Sequence, residues 1–237
     1  MNNDNVIHID HVDKSYKLGR IEVLALHDVT LDIARGDFVA LAGPSGSGKT
    51  TLLNIIGCID KPDRGRVFID GIDASAVPLH RLAATRRDTL GFVFQTFNLV
   101  PVLTAFENVE YPLLLKGIPK RERRTRVAHW LEQTGIAAQA KQRPDQLSGG
   151  QRQRVAIARA MAGDPKLVVA DEPTANLDSD TASRILDLLA DINRDTNCTF
   201  VFSTHDPSLI SRARRVIRIT DGRISQEVSD VRATRIA

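Results

Sequence analysis

The residues Gly43-Pro44-Ser45-Gly46-Ser47-Gly48-Lys49-Thr50 fit the pattern G-x-x-x-x-G-K-[ST] at every fixed position. Glycines and small side chains let successive backbone N–H groups converge on phosphate oxygens. A helix starting at the end of such a loop points its N-terminus at the same anion. Lys49 adds a point charge for the β- and γ-phosphates, and the Thr50 hydroxyl is placed for Mg²⁺. A phosphate loop implies a nucleotide, but hydrolysis also needs carboxylates. Leu167 to Ala170 reads as a short buried strand, with Asp171 and Glu172 at its C-terminal end, where ligands bind in open α/β sheets. Asp171 suits Mg²⁺, and Glu172 is suited to polarise the attacking water. Alone, two acids at a strand end are as often merely solvated. With the loop upstream they read as a hydrolytic pair.

The elements that must position these residues follow from hydrophobic period. Val6, Ile7 and Ile9 form a short apolar run, and Val29, Leu31 and Ile33 alternate with polar residues. Phe38 to Ala42 is a continuous apolar run of the kind found in fully buried strands, and Thr51 to Ile56 follows the loop as a helix. Val67 and Ile69 alternate before Asp70-Gly71. From Phe97 to about Ala162 the pattern is mostly helical, punctuated by Pro101, Pro112, Pro119 and Pro144. Ile185, Leu188, Leu189 and Ile192 mark an amphipathic helix; Thr199 to Thr204 and Val216 to Ile219 read as strands. Strand and helix alternating at this spacing predict a parallel sheet with crossover helices, interrupted by a helical insertion.

Further residues give a resemblance. Leu147-Ser148-Gly149-Gly150-Gln151 resembles the signature motif of the ABC (ATP-binding cassette) ATPases and lies, as in that family, between the phosphate loop and the acidic strand. Tyr16 resembles the aromatic that stacks on adenine. Gln95, after Gly91-Phe92-Val93-Phe94, resembles the glutamine that contacts Mg²⁺ and the attacking water. Ala175-Asn176-Leu177-Asp178 resembles the loop that crosses the dimer interface, and His205 the switch histidine on the γ-phosphate. The resemblance covers residues 6 to 226. It implies a single domain over 1–237: a P-loop NTPase core with a mainly parallel sheet and an N-terminal antiparallel β subdomain (1–94 and 164–237), and an inserted α-helical subdomain (95–163). It also implies that ATP is held by Tyr16, by Gly43 to Thr50 and by Thr51, that Mg²⁺ is held by Thr50, Gln95 and Asp171, and that Glu172, His205 and Gln95 act in catalysis. A Ser-Gly-Gly turn before an Arg-rich helix, Gln151 to Met161, is itself an anion site. By the resemblance, Ser148, Gly149, Gly150 and Gln151 close on ATP bound by a second cassette, with Asp178 in the interface loop of a homodimer. Gly19 to Leu26, Phe94 to Pro101, Glu107-Asn108-Val109 and Ala170 to Ser179 are similar to the small cassettes of the macrolide-export and lipoprotein-release group. Ala175 stands where that group usually has glycine.

The bulk properties agree with a folded soluble chain. There are 237 residues, 42% hydrophobic and 26% charged, and a formal net charge of +3 does not by itself argue for nucleic acid, so none is expected as a partner. Cys58 and Cys198 have neither zinc nor disulfide spacing and are expected to be buried, reduced thiols. Met1 to Asn5 does not look like a signal peptide, and no apolar run approaches the ~18 residues that span a bilayer. The implied function is that of an ATPase on the cytoplasmic face of the inner membrane, driving a separate transmembrane permease. The competing readings are a soluble cassette acting on ribosomes or DNA, ATP-dependent signalling to cell-envelope enzymes, and a degenerate cassette that only regulates; the last would have lost Glu172 or His205. Lys116 to Arg126, with six basic residues and one acidic, reads as a solvated helix face, and Arg212 to Arg235 as the last strands and a solvated end. Phe97 to Pro101 reads as an exposed apolar loop, and Leu99 is expected to dock the permease there and bias Gln95.

Overall fold

The computed structural model describes residues 4–19 and 21–229; the basic end from residue 230 onward lies outside the described residues. An antiparallel sheet contains β1 (Asn5–Leu18), β2 (Ile21–Ala34), β4 (Arg64–Ile69) and β5 (Ile72–Asp73), in the order β2-β1-β4-β5. A second sheet has the order β10-β9-β3-β8-β7-β6. It is built from β3 (Phe38–Ala42), β6 (Leu90–Val93), β7 (Leu167–Asp171), β8 (Thr199–Thr204), β9 (Arg215–Thr220) and β10 (Arg223–Ser229), parallel except for the antiparallel β9–β10 pair. The helices are α1 (Lys49–Ile56), α2 (Leu82–Thr89), α3 (Ala105–Leu115), α4 (Lys120–Gln133), α5 (Gly149–Ala162), α6 (Ser179–Thr196) and α7 (Pro207–Arg212).

The strand compositions explain their places. Every residue of β3 and β8 is buried, because both faces of these central strands are covered. Over most of its length β2 alternates buried and exposed positions, as expected for a sheet with one wet face, but its first four residues are all exposed. One core lies between the two sheets and around α1; Ile7, Ile9, Ile33, Leu41 and Ile55 belong to it. A second lies on the other face of the parallel sheet, under α5, α6 and α7. There the Phe38 and Phe202 rings pack with centroids 4.8 Å apart. Each such aromatic contributes about 2–3 kcal/mol of burial. Helix α6 turns Ile185, Leu186, Leu189 and Ile192 to this core, and Leu188 sits at the edge of that face. The Asp178 side chain caps α6, accepting from Thr181 N–H at 2.9 Å.

A third core is made by α3, α4 and α5, with Val109, Leu113, Val127, Leu131, Val155 and Ala158 at its centre. Helix α5 belongs to two cores. Ile157, Ala160 and Met161 pack under the sheet, while Val155, Ala158 and Ala162 face the helices. Of the basic run, Lys120, Arg121 and Arg124 are exposed, whereas Arg123 bonds Glu110 at 2.9 Å and Lys116 donates to the Gly163 carbonyl. Both cysteines are free and buried; burial pushes the Cys58 thiol up to about 11 and the Cys198 thiol up to about 12.

The loop that leads from β6 into α3 depends on one amide. Asn108, on α3 and almost fully buried, accepts from Val100 N–H at 2.8 Å and donates to the carbonyls of Val100, Leu103 and Thr104. Asn108→Ala leaves these buried groups without a partner and is expected to cost about 2 kcal/mol, read as a lower urea midpoint with an unchanged slope.

Candidate functional site

The phosphate loop starts where β3 ends and finishes in α1. Gly48 has φ +105°, and a Cβ there would lie 2.4 Å from the Ala25 carbonyl on β2, so only glycine lets the loop pass so close to that strand. Helix α1 has no side-chain cap and no acidic residue in its first turn. Its first N–H groups therefore await an external anion. The buried Lys49 Nζ donates to the Gly43 and Pro44 carbonyls at 2.8 and 2.7 Å, which holds the ammonium in the loop. A cleft of about 620 Å³ opens here, lined by Ser45, Gly46, Gly48, Lys49, Thr50, Thr51, Glu172 and His205 and walled by Val23, Leu24 and Ala25 of β2. Gly43, Pro44 and Ser47 complete the loop, and the Ser47 hydroxyl is buried without a protein partner.

Tyr16 lies opposite Val23 in the β1–β2 pairing, beside that wall, and is partly exposed. Its hydroxyl donates to Asp60 Oδ2 at 2.8 Å, and Lys14 Nζ lies 5.2 Å from its ring centroid. Lys14 also donates to Asp60, Asp63 and the Lys61 carbonyl. Burial disfavours charge on Asp60, but hydrogen bonds from Tyr16, the Lys61 N–H and Lys14 hold its carboxyl below the usual carboxylate range. Lys14 and Asp60 escaped the sequence reading. They have no motif, and they meet only because β1 passes the loop after α1.

Parallel pairing brings the remaining residues to the same edge. Asp171 pairs with Ser203 across β7 and β8, and Ala42 with Thr204 across β3 and β8. The phosphate loop, Asp171-Glu172 and His205 therefore leave three adjacent strands at one end. His205 Nδ1 lies 3.0 Å from Glu172 Oε1, with the ring N–H donating to the carboxylate. Thr50 Oγ1 is 3.4 Å from Asp171 Oδ1. Gln95 is exposed two residues beyond β6, level with Glu172 by the Val93–Ala170 pairing. A hydroxyl, a carboxylate and an amide are oxygen donors that suit Mg²⁺. No cluster of three or more His, Cys, Asp or Glu able to hold a metal occurs among the described residues. That set fits a small hard cation taking its other ligands from phosphates and water.

The signature turn stands apart. Ser148 caps α5, its Oγ accepting from Gln151 N–H while Gln151 Oε1 accepts from Ser148 N–H. A Cβ on Gly150 would meet Thr181 on α6 at 2.5 Å. None of Ser148, Gly149, Gly150 or Gln151 lines the cleft of its own chain, and Asp178 is exposed beside this turn at the start of α6.

The segment after Gln95 differs from the expectation. Phe97 and Asn98 both have positive φ, +63° and +46°. Arg159 of α5 donates to their carbonyls at 2.9 and 2.5 Å, Arg152 lies over the Phe97 ring at 5.1 Å, and Asn176 donates to the Gln95 carbonyl at 2.9 Å. Leu99 is half-buried and packs on the helical core, because α3 and α5 reach under the loop. It is therefore only partly exposed, not a fully exposed loop residue. Exposed apolar surface begins within this segment at Val100 and continues at Val102, Tyr111, Leu114 and Leu115. Tyr111, Pro112 and Leu115 border a groove of about 390 Å³ between α3 and the sheet, with Phe92, Phe94, Arg86, Arg87 and Arg159 on its other sides.

A phosphate loop at an open helix end, acids at the end of a nearby parallel strand and a separate signature turn define a nucleoside-triphosphate cassette. Residues 26–175 match the ABC transporter family. The chain is 46% identical over 226 residues to the ABC transporter ATP-binding protein MJ0796 of Methanocaldococcus jannaschii, covering 94% of this chain and 96% of that protein. It is 46% identical to the lipoprotein-releasing system ATP-binding protein LolD of Anaeromyxobacter dehalogenans, over 92% of each chain. It is 45% identical to the macrolide export ATP-binding/permease protein MacB of Syntrophobacter fumaroxidans, matching 94% of this chain and 32% of that longer protein. A dimeric structure of MJ0796 with ADP and Pi superposes with a TM-score of 0.87 over 94% of this chain and 98% of that one, at 45% identity. The chain belongs to the ABC transporter family and is an ABC ATPase.

Lys49→Ala removes the ammonium from the loop. Fluorescent-nucleotide titration should show ATP affinity reduced by about tenfold or more, with the circular-dichroism spectrum unchanged.

Proposed function

We propose that this chain is the ATP-hydrolysing motor of a transporter whose membrane-spanning permease is a separate chain. The observation that carries the reading is the split site: the loop, Glu172 and His205 meet in one cleft, while the signature turn faces outward and cannot serve that cleft. A second copy of the chain supplies it. Two cassettes then enclose two ATP molecules, each between the Gly43–Thr51 segment of one protomer and the Ser148–Gln151 turn of the other, with Asp178 at the seam.

Within each site the roles follow from chemistry. The loop N–H groups, the start of α1 and Lys49 hold the phosphates, and the Tyr16 ring offers a flat face to adenine. Thr50, Asp171 and Gln95 would hold Mg²⁺, which supplies charge neutralisation at the β- and γ-phosphates. Glu172 takes the proton from the attacking water, and His205 shares its proton between Glu172 and the γ-phosphate side of the cleft. Both groups are present, against a cassette that only binds.

The permease is proposed to seat a short helix in the groove beside Tyr111 and Leu115. The groove is apolar along α3 and carries Arg86, Arg87 and Arg159 at its rim, so an apolar helix with an acidic end fits it. Its floor, Phe92 and Phe94, runs directly into Gln95. The helical unit 95–163 would then move with the permease against the 1–94 and 164–237 core. No helix among the described residues is long and apolar enough to cross a membrane. The proposed permease would hold the cassette at the cytoplasmic face of the membrane.

Two experiments test this. Glu172→Gln keeps shape and removes the base. ATP should still bind, hydrolysis should fall by about a hundredfold or more, and size exclusion with ATP and Mg²⁺ should show an accumulated dimer. Turnover at the wild-type rate would refute the assignment. Leu115→Asp should leave the ATPase rate of the isolated cassette within about twofold and abolish co-purification with the permease, since a buried unpaired charge is costly at an interface. Intact co-purification would move the docking surface elsewhere.

A further inference from the structure

We infer that Ser203 is a positioning residue for hydrolysis, whose single hydroxyl fixes Asp171 and Glu172 relative to each other. The inference rests on the roles of those two acids proposed above. Ser203 lies on β8 with no exposed surface, opposite Asp171 in the last rung of the β7–β8 ladder. Its Oγ donates to Asp171 Oδ1 at 2.5 Å and accepts from the Glu172 N–H at 3.1 Å. The proton is thus committed to one carboxylate and a lone pair to the next residue's backbone.

The backbone there needs that acceptor. Glu172 has φ +43°, a left-handed conformation that takes the chain out of β7 and is sparsely populated by residues other than glycine. The turn removes its partly buried N–H from the regular ladder, and such a group needs an acceptor of its own. Ser203 supplies the acceptor. Two residues on, just past the end of β8, His205 meets the Glu172 carboxylate. One strand end therefore grips Glu172 at both its backbone and its side chain.

The same hydroxyl orients Asp171. Its Oδ1 is engaged by Ser203 and lies near Thr50 Oγ1, while no side-chain or backbone donor reaches Oδ2 among the described residues. A buried hydroxyl in an otherwise largely apolar strand is costly unless it is bonded. Here both bonds go to the acids proposed for the metal and the water, while the neighbouring Phe202 and Val201 serve only packing.

The test uses the full chain with Ser203→Ala and Ser203→Thr. In the nucleotide-free protein, amide hydrogen exchange at Glu172 should speed by about tenfold in the alanine variant and return toward wild type in the threonine variant, because one protecting hydrogen bond is lost and regained. The Mg²⁺ concentration giving half-maximal binding of a fluorescent ATP analogue should rise by about threefold or more in Ser203→Ala, also in a Glu172→Gln background. Turnover should fall by about tenfold with KM for ATP within twofold. Ser203→Cys keeps the volume with a weaker donor and should resemble alanine, which guards against a folding defect. Unchanged exchange and unchanged Mg²⁺ dependence in Ser203→Ala would overturn the inference. So would a loss that threonine does not rescue. Should Glu172→Gln alone retain wild-type turnover, the assignment of the base fails, and the Mg²⁺ shift in that background still decides the role of Ser203.

Discussion

Helix α1 begins without a cap, and the neighbourhood keeps that end open. Gly48 takes a conformation that needs no Cβ, β2 passes within van der Waals reach of it, and no acidic side chain enters the first turn. Uncompensated N–H groups at a helix start are a standing demand for negative charge. The rest of the site is arranged around that demand. The all-buried strand β3 delivers the loop, and its parallel neighbour β8 and, beyond it, β7 can end at the same level only because the ladder runs in register from Phe38–Phe200 to Ala42–Thr204 and on to Asp171–Ser203. A one-residue slip would turn Asp171 and Ser203 to the wrong faces. The apolar packing of Phe38, Phe200 and Phe202 that fixes the register is therefore also what sets the distance between phosphate loop and acids.

Much of this was legible in the sequence where chemistry forces residue type. Gly48 and the strand Phe38 to Ala42 could be read because a left-handed turn and a strand covered on both faces leave few choices. The helix through Ile185 and Leu189 was legible from its period, though α6 extends well beyond those residues on both sides. The long hairpin was legible only at its buried ends, Val6 to Ile9 and Val29 to Ile33. The outer half of β2 faces the cleft and solvent, so its alternation lapses. Leu99 shows the limit of reading apolar loops: an apolar residue two positions before a proline reads as fully exposed until α3 and α5 are seen beneath it. Ser203, Lys14 and Asp60 lie in no spacing pattern. Their roles come from contacts between segments far apart in the chain, which one-dimensional periodicity does not encode.

The Gln95 segment is tied from two directions. Asn176, within the loop proposed to lie at the dimer seam, holds the Gln95 carbonyl, and Arg159 holds the two left-handed residues just beyond. Left-handed φ at Phe97 and Asn98 persists only where surrounding contacts over-determine it. Burial lowers the Arg159 guanidinium to about 10, which still leaves it charged at neutral pH, so these carbonyls face a permanent cation.

Helix α5 is a rod with different business at its two tips. Ser148 and the glycines sit at its beginning, while Arg159, Ala160 and Gly163, at or just beyond its end, border the groove. Fourteen residues span about 21 Å at the usual rise per residue. Because its two sides are wedged into two separate cores, the rod cannot bend or slide on its own. It can only tilt together with the helices packed on it. If the signature tip closes on a partner's nucleotide as proposed above, a rigid α5 swings the groove tip as a seesaw does, and load at the groove lifts the signature tip in return.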